Sequence, residues 1–183
     1  FQAGLAGYSD AAMRIVARRH GCPYCVTEAL LDQTLISGGK GRRREDPNML
    51  RKERGLTCDD HPIGGQIIGT DEREMAEGAE ILCGMGYDAI DVNLACPVKK
   101  IRRRMRGGHF LGEPEDAVAV LRAVRAAVPA SLPTTVKLRR GFDDSEESVD
   151  NFHCILDAAF DLGYAWATVH ARMVVQKYVG PSQ

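Results

Sequence analysis

Apolar residues in this chain alternate between two spacings, short continuous runs and one-face helical stripes. Met13, Val16, Ala17 and His20 recur at helical spacing after Ser9, a candidate cap, and Gly21 is a candidate stop. Cys25–Ala29 then reads as a strand, and another lies within Pro62–Gly69 with Gln66 inside it. Asp71 and Glu74 form a capping-box pattern ahead of Met75, Ala79 and Leu82. The apolar run Ala89–Val92 predicts a buried strand. Pro114 suits a helix start, followed by Ala117, Val120, Leu121, Val124 and Val128 on one face. Thr134–Leu138 is the next strand; Asp144 and Glu147 offer a cap for a helix carrying Val149, Phe152, Leu156 and Ala159; Ala165–His170 is the last strand. Gly4-Leu5-Ala6 reads as the end of a first strand beginning at or before Phe1.

Repeated β/α order implies an α/β fold with a parallel sheet. Two architectures satisfy it, an open doubly wound sheet and a (β/α)8 TIM barrel truncated after the sixth strand. A complete barrel needs about 250 residues, against 183 here. Residues 36–60, with the Gly38-Gly39 pair and the Arg42-Arg43-Arg44 run, lack a pattern and read as a surface excursion.

The composition is that of a soluble globular domain, 44% hydrophobic and 27% charged. A net charge of -1 means that any anion binding must come from local clusters. No apolar run is long enough for a membrane span, no signal peptide is visible, and no protein partner is evident. Six cysteines in mostly apolar or helical contexts suggest a reducing, cytoplasmic setting.

The candidate chemistry gathers at strand ends. Glu28, Asn93, Lys137 and His170 each close a predicted strand, Gln66 lies near the end of one, and Cys96 follows one by three residues. In a parallel α/β fold these ends converge on one rim. Lys137 suits an anion or an electron-rich ring edge, and the amides suit a heterocycle with mixed donors and acceptors. Pro97 biases Cys96 to an extended backbone, and a thiol with a pKa near ~8.5 keeps a proton to give at neutral pH. Lys99, Lys100, Arg102, Arg103, Arg104 and Arg106 put six cations in eight positions beside it, which suggests a polyanion as substrate.

These segments resemble the tRNA-dihydrouridine synthases, over nearly all of the chain. The most specific part is Asp91-x-Asn93-x-x-Cys96-Pro97-x-Lys99-Lys100. Ala6-Gly7-Tyr8-Ser9-Asp10, Gln66-Ile67-x-Gly69, Lys137-Leu138-Arg139-Arg140-Gly141, Thr168-Val169-His170-Ala171-Arg172 and Tyr178-x-Gly180 support it. The resemblance implies a flavin-binding TIM barrel over 1–183, with further strands and a helical tRNA-binding domain expected beyond this chain. It implies FMN held by Gly4, Leu5, Ala6, Gln66, Lys137 and His170, with Cys96 as proton donor. Asn93, Lys99, Lys100 and Arg172 fall on the substrate side, with tRNA as partner and NADPH as reductant. The implied reaction reduces a tRNA uridine to 5,6-dihydrouridine: hydride reaches C6 and Cys96 protonates C5, on a base that has left its stack.

Three positions depart from the family pattern. Gly4 stands where many relatives have proline, which predicts a looser first turn. Gly107-Gly108-His109-Phe110 replaces a commoner small-residue run, and Met173 replaces a usual threonine. Other classes of protein fit parts of the pattern. Cys22-x-x-Cys25 with Cys58-x-x-His61 has zinc-site spacing, which would make a noncatalytic binding module. The first pair alone has the spacing of a redox dithiol. A flavin barrel acting on a free pyrimidine would have no use for the 99–106 cations. A noncatalytic RNA-binding relic would not need its cysteine.

Overall fold

The computed structural model describes residues 1–38, 60–98 and 105–182. In chain order its elements are α1 (Ala11–Arg19), β1 (Cys25–Val26), β2 (Leu30–Leu31), α2 (Asp32–Ile36), β3 (Ile63–Ile68), α3 (Glu72–Gly84), β4 (Ala89–Asn93), a 3-10 turn (Gly107–Gly112), α4 (Pro114–Ala127), β5 (Thr134–Arg139), α5 (Glu146–Asp161) and β6 (Trp166–His170). All strand pairings are parallel, in the order β1-β3-β4-β5-β6, and β2 also pairs with β3.

The sheet is curved into part of a barrel. A flat sheet would set β1 and β6, four strands apart, about 19 Å from each other. Yet the rings of Tyr24 and Trp166 meet edge to face with centroids 5.5 Å apart, and Phe1 stacks on Trp166 at 6.1 Å. Packing of α2 on α3, α3 on α4 and α4 on α5 places these helices side by side on the outer face. Strand order without reversal and helices on one side decide for the barrel over the doubly wound sheet.

Alternation along the strands separates two environments. Ile63, Ile67, Ile90, Val92, Val136 and Leu138 face outward into a core with Met75, Leu82, Leu121, Val124 and Ile155. The register puts Gln66, Asp91, Thr135 and Trp166 in one row across β3 to β6, and Asn93, Lys137 and Thr168 in another. Gly64 is required where it stands, because a Cβ there would lie 2.1 Å from the Tyr24 hydroxyl.

Local chemistry explains where the elements differ from expectation. Asp10, not Ser9, caps α1 by accepting from Met13 N–H at 3.0 Å. Ser9 folds back instead, its Oγ accepting from Leu5 N–H and donating to the Leu5 carbonyl. Asp71 caps α3 as expected, accepting from Arg73 and Glu74 N–H. Ser145, one residue beyond the expected Asp144, caps α5 by accepting from Ser148 N–H. The first strand is reduced to one parallel bridge, Gln2 with Cys25. Of the second, Cys25–Ala29, only Cys25–Val26 forms strand; β2 follows beyond it, and between them Thr27 Oγ1 accepts from Gln66 N–H at 2.9 Å. The arginine run 42–44 lies outside the described residues. Among the described residues, no helix is long and apolar enough to cross a membrane.

Candidate active site

The C-terminal ends of the strands surround a cavity of about 410 Å³. Gly4, Leu5, Ala6, Gln66, Asn93, Cys96, Lys137 and His170 all line it. Five separate segments of chain thus deliver all the residues expected at the cofactor and the proton donor to one place. Ala29, Leu31, Ile68, Ala95, Pro97 and Val98 supply apolar walls, and Arg139 and Tyr178 complete the lining. Glu28 is not part of it.

A hydrogen-bonded network underlies the cavity. Gln66 Nε2 donates to Asp91 Oδ2 at 2.7 Å, and Gln66 Oε1 accepts from Asn93 Nδ2 at 2.7 Å. Asn93 Oδ1 accepts from the N–H groups of Ala95 and Cys96 at 3.0 and 3.1 Å. Asn93 therefore shapes the cysteine loop as well as facing the cavity, with one Nδ2 hydrogen left over. Gly107 and Gly108 close over this loop. Gly108 N–H donates to the Cys96 carbonyl at 3.0 Å, and a Cβ on Gly107 (φ 58°) would stand 2.8 Å from that of Cys96.

Arg139 binds this loop to the segment after β6. Only 2% exposed, it donates to the carbonyls of Ala95, Met173 and Lys177 at 2.9, 3.0 and 2.7 Å, and its guanidinium lies 5.3 Å from the Tyr178 ring centroid. The family segment contains Arg139, but its three carbonyl partners come from distant loops and leave no local signal.

Charge around the cavity is tuned by burial. Desolvation lowers the pKa of Lys137, an effect opposed by the Asp91 carboxylate. Burial raises that of Asp91, opposed by the bonds from Thr135 and Gln66 and by Lys137. His170 is lowered by desolvation and then by Arg139, Lys137 and Arg172, which favours the neutral ring at pH 7. Its Nδ1 accepts from Arg172 N–H at 3.3 Å, leaving Nε2 to carry the proton of the neutral ring. Among the described residues, the Lys137 ammonium makes no hydrogen bond.

Two expected cations are engaged elsewhere. The Arg172 guanidinium donates to the Gly180 carbonyl at 3.0 and 2.8 Å and does not line the cavity. Arg106, counted with the exposed basic run, is 4% exposed; it donates to Thr70 Oγ1 and Gln33 Oε1 and lies 3.8 Å from Asp32. Lys99 and Lys100 lie outside the described residues, as do Arg102, Arg103 and Arg104. At Gly4 the backbone runs close to its neighbour, and a Cβ there would lie 2.1 Å from the Thr27 carbonyl oxygen.

No three His, Cys, Asp or Glu side chains among the described residues could together hold a metal, and Cys58 lies outside them. His61 Nδ1 instead meets Asp88 Oδ2 at 2.7 Å. The sulfurs of Cys22 and Cys25 stand 3.8 Å apart; burial pushes the Cys25 thiol up to about 11, while at Cys22 desolvation is outweighed by hydrogen bonding at Tyr24 and from Cys25, which lowers it.

Comparison with known proteins agrees with this geometry. The curved α/β fold superposes on the carboxyl transferase domain from Rhizobium etli pyruvate carboxylase with a TM-score of 0.54. At 15% identity, covering 88% of this chain and 24% of that one, this is a likeness of fold alone. Curated relatives include a tRNA-dihydrouridine(16) synthase of Pseudomonas putida, 32% identical over 98% of this chain, and one of Aquipseudomonas alcaligenes, 30% identical over 98%. A tRNA-dihydrouridine synthase B of Xanthomonas axonopodis pv. citri is 30% identical over 99%. The chain spans 54%, 56% and 51% of these three, about half their length. The family model described as dihydrouridine synthase matches residues 1–183, so the chain belongs to the dihydrouridine synthase family.

Proposed function

We propose that this chain carries the catalytic cavity of a tRNA-dihydrouridine synthase, an enzyme that reduces a uridine of tRNA with FMN as cofactor and NADPH as reductant. The observation that carries this reading is the convergence of Cys96, Asn93, Gln66, Lys137 and His170 on one cavity. The names of the relatives supply the substrate class.

The residues fit a flavin. Gln66 keeps one N–H and one lone pair beyond its network bonds, as a heterocycle edge requires. The Lys137 ammonium, without a hydrogen-bond partner among the described residues, stands in a largely apolar cavity as the cation for an electron-rich ring edge. Gly4, Leu5 and Ala6 bring backbone to the same wall. Bound FMN, recharged by NADPH, would supply the hydride for C6 of the uracil. Cys96 would hold the proton for C5, where negative charge builds as hydride arrives. Asn93 and the two glycines fix the loop from which that thiol reaches the cavity. The uridine must leave its stack to enter, and Lys99 and Lys100 are the candidates for gripping its phosphates. On this reading the chain is the N-terminal part of a flavin barrel, whose remaining strands and helical tRNA-binding domain lie elsewhere in the protein.

The test is dihydrouridine formation on unmodified tRNA by the native gene product. The parent should convert uridine, and Cys96→Ala should keep the flavin while losing conversion. A flavin-free parent inactive on every tRNA would contradict the proposal.

A further inference from the structure

Asp91 lies inside the barrel, 3% exposed, and the proposed chemistry does not use it. Both oxygens of the Asp91 carboxyl accept hydrogen bonds. Thr135 Oγ1 donates to its Oδ1, and Gln66 Nε2 donates to its Oδ2 at 2.7 Å. This sets the polarity of the Gln66 amide: nitrogen towards Asp91, oxygen towards Asn93. That oxygen can only accept, so Asn93 must present its nitrogen, and it does so at 2.7 Å. The Asn93 oxygen is thereby turned to the N–H groups of Ala95 and Cys96. Each link fixes the direction of the next, and reversing any amide would set donor against donor or acceptor against acceptor. With Gln66, Asp91 and Asn93 all buried, such a mismatch would leave buried polar groups facing like groups.

We propose that Asp91 is a positioning residue for Cys96, holding the cysteine loop through a hydrogen-bond relay of fixed polarity that runs by way of Gln66 and Asn93. The catalytic consequence rests on the reading of Cys96 as proton donor; the relay itself does not.

The experiment uses the native gene product with its flavin, and compares the parent with Asp91→Leu, Asp91→Asn and Asn93→Ala. Two quantities are read: single-turnover uridine reduction on tRNA, and the pH profile of Cys96 alkylation by iodoacetamide, followed by mass spectrometry of the Cys96 peptide. Asp91→Leu should slow reduction about tenfold, the cost of one buried bond left unmade. KM for tRNA should hold, and the alkylation profile should move. Asp91→Asn should restore both readouts, because its oxygen can still face Gln66 while its nitrogen donates to Thr135 Oγ1. Adding Asp91→Leu to Asn93→Ala should cost nothing further, since one relay is broken once. If Asp91→Leu does not fold, Thr135→Val carries the test, with about a threefold effect expected from freeing one carboxylate oxygen. Parent-like alkylation in folded Asp91→Leu or Thr135→Val, or losses that multiply in the double variant, would overturn the relay. Alkylation needs neither tRNA nor turnover. A parent that makes no dihydrouridine, yet whose Cys96 reactivity follows Asp91, would refute the functional reading and leave the relay standing.

Discussion

The two ends of the barrel interior are built from the same strands and do opposite work. Where the strands begin, Phe1, Tyr24 and Trp166 pack ring on ring beside Val26 and Ala89, and Gly64 makes room for the Tyr24 hydroxyl. Where they end, the same inward positions hold amides, a lysine, an arginine and a histidine around an open cavity. The lower end closes the sheet by apolar contact. The upper end is assembled by hydrogen bonds of defined direction. Strand alternation alone does not separate plug from site; position along the strand does, as parallel barrels require.

The sharpest way to break the comparison is at the upper end. Cys96→Ala should lower dihydrouridine formation by about 10² or more, the scale of a lost general acid, while flavin absorbance and thermal stability stay put. Trp166→Ala should do the reverse. It removes a large ring from the plug, at a cost of about 2–3 kcal/mol read as a lower Tm, and activity per folded molecule should remain. A third variant links the two kinds of packing. Gly107→Ala forces a Cβ towards Cys96 from a positive φ. It should slow uridine reduction by about tenfold and destabilise by about 1 kcal/mol, as single-turnover assays and denaturant melts would show.

The smallest effect is a titration. His170 is depressed in the folded protein and ordinary in the unfolded chain, so the unfolded state binds more protons as pH falls. Its contribution to stability is complete above the ordinary histidine value and is lost as pH falls through the depressed one. NMR of the ring should give a midpoint below 6.5, the value for an unperturbed histidine. A midpoint above it would mean that an anion, not the cations Arg139, Lys137 and Arg172, dominates the ring's surroundings.

Much of this was legible in the chain itself. Runs such as Ala89–Val92 and Thr134–Leu138 showed the strands because apolar, β-branched segments between helical stripes admit few other readings. The polar residues at their ends showed the cavity because parallel topology gathers those ends. Side-chain bonds that compete with regular structure were not legible. Ser9 turns back on Leu5, and Thr27 interrupts a strand while satisfying its neighbour. Nor could composition show where long cations end. Arg106 belongs by sequence to a basic run and by structure to the Asp32, Thr70 and Gln33 cluster. Asp91 was visible in the motif, but its partners Gln66 and Thr135 lie 25 and 44 residues away, so its use depends on strand register.

The central claim is that this cavity holds a flavin against Cys96, and the visible absorption spectrum of the purified native gene product tests it most directly. The account predicts flavin bands that persist in Cys96→Ala and weaken in Lys137→Ala. A colourless protein that takes up no added FMN would contradict it.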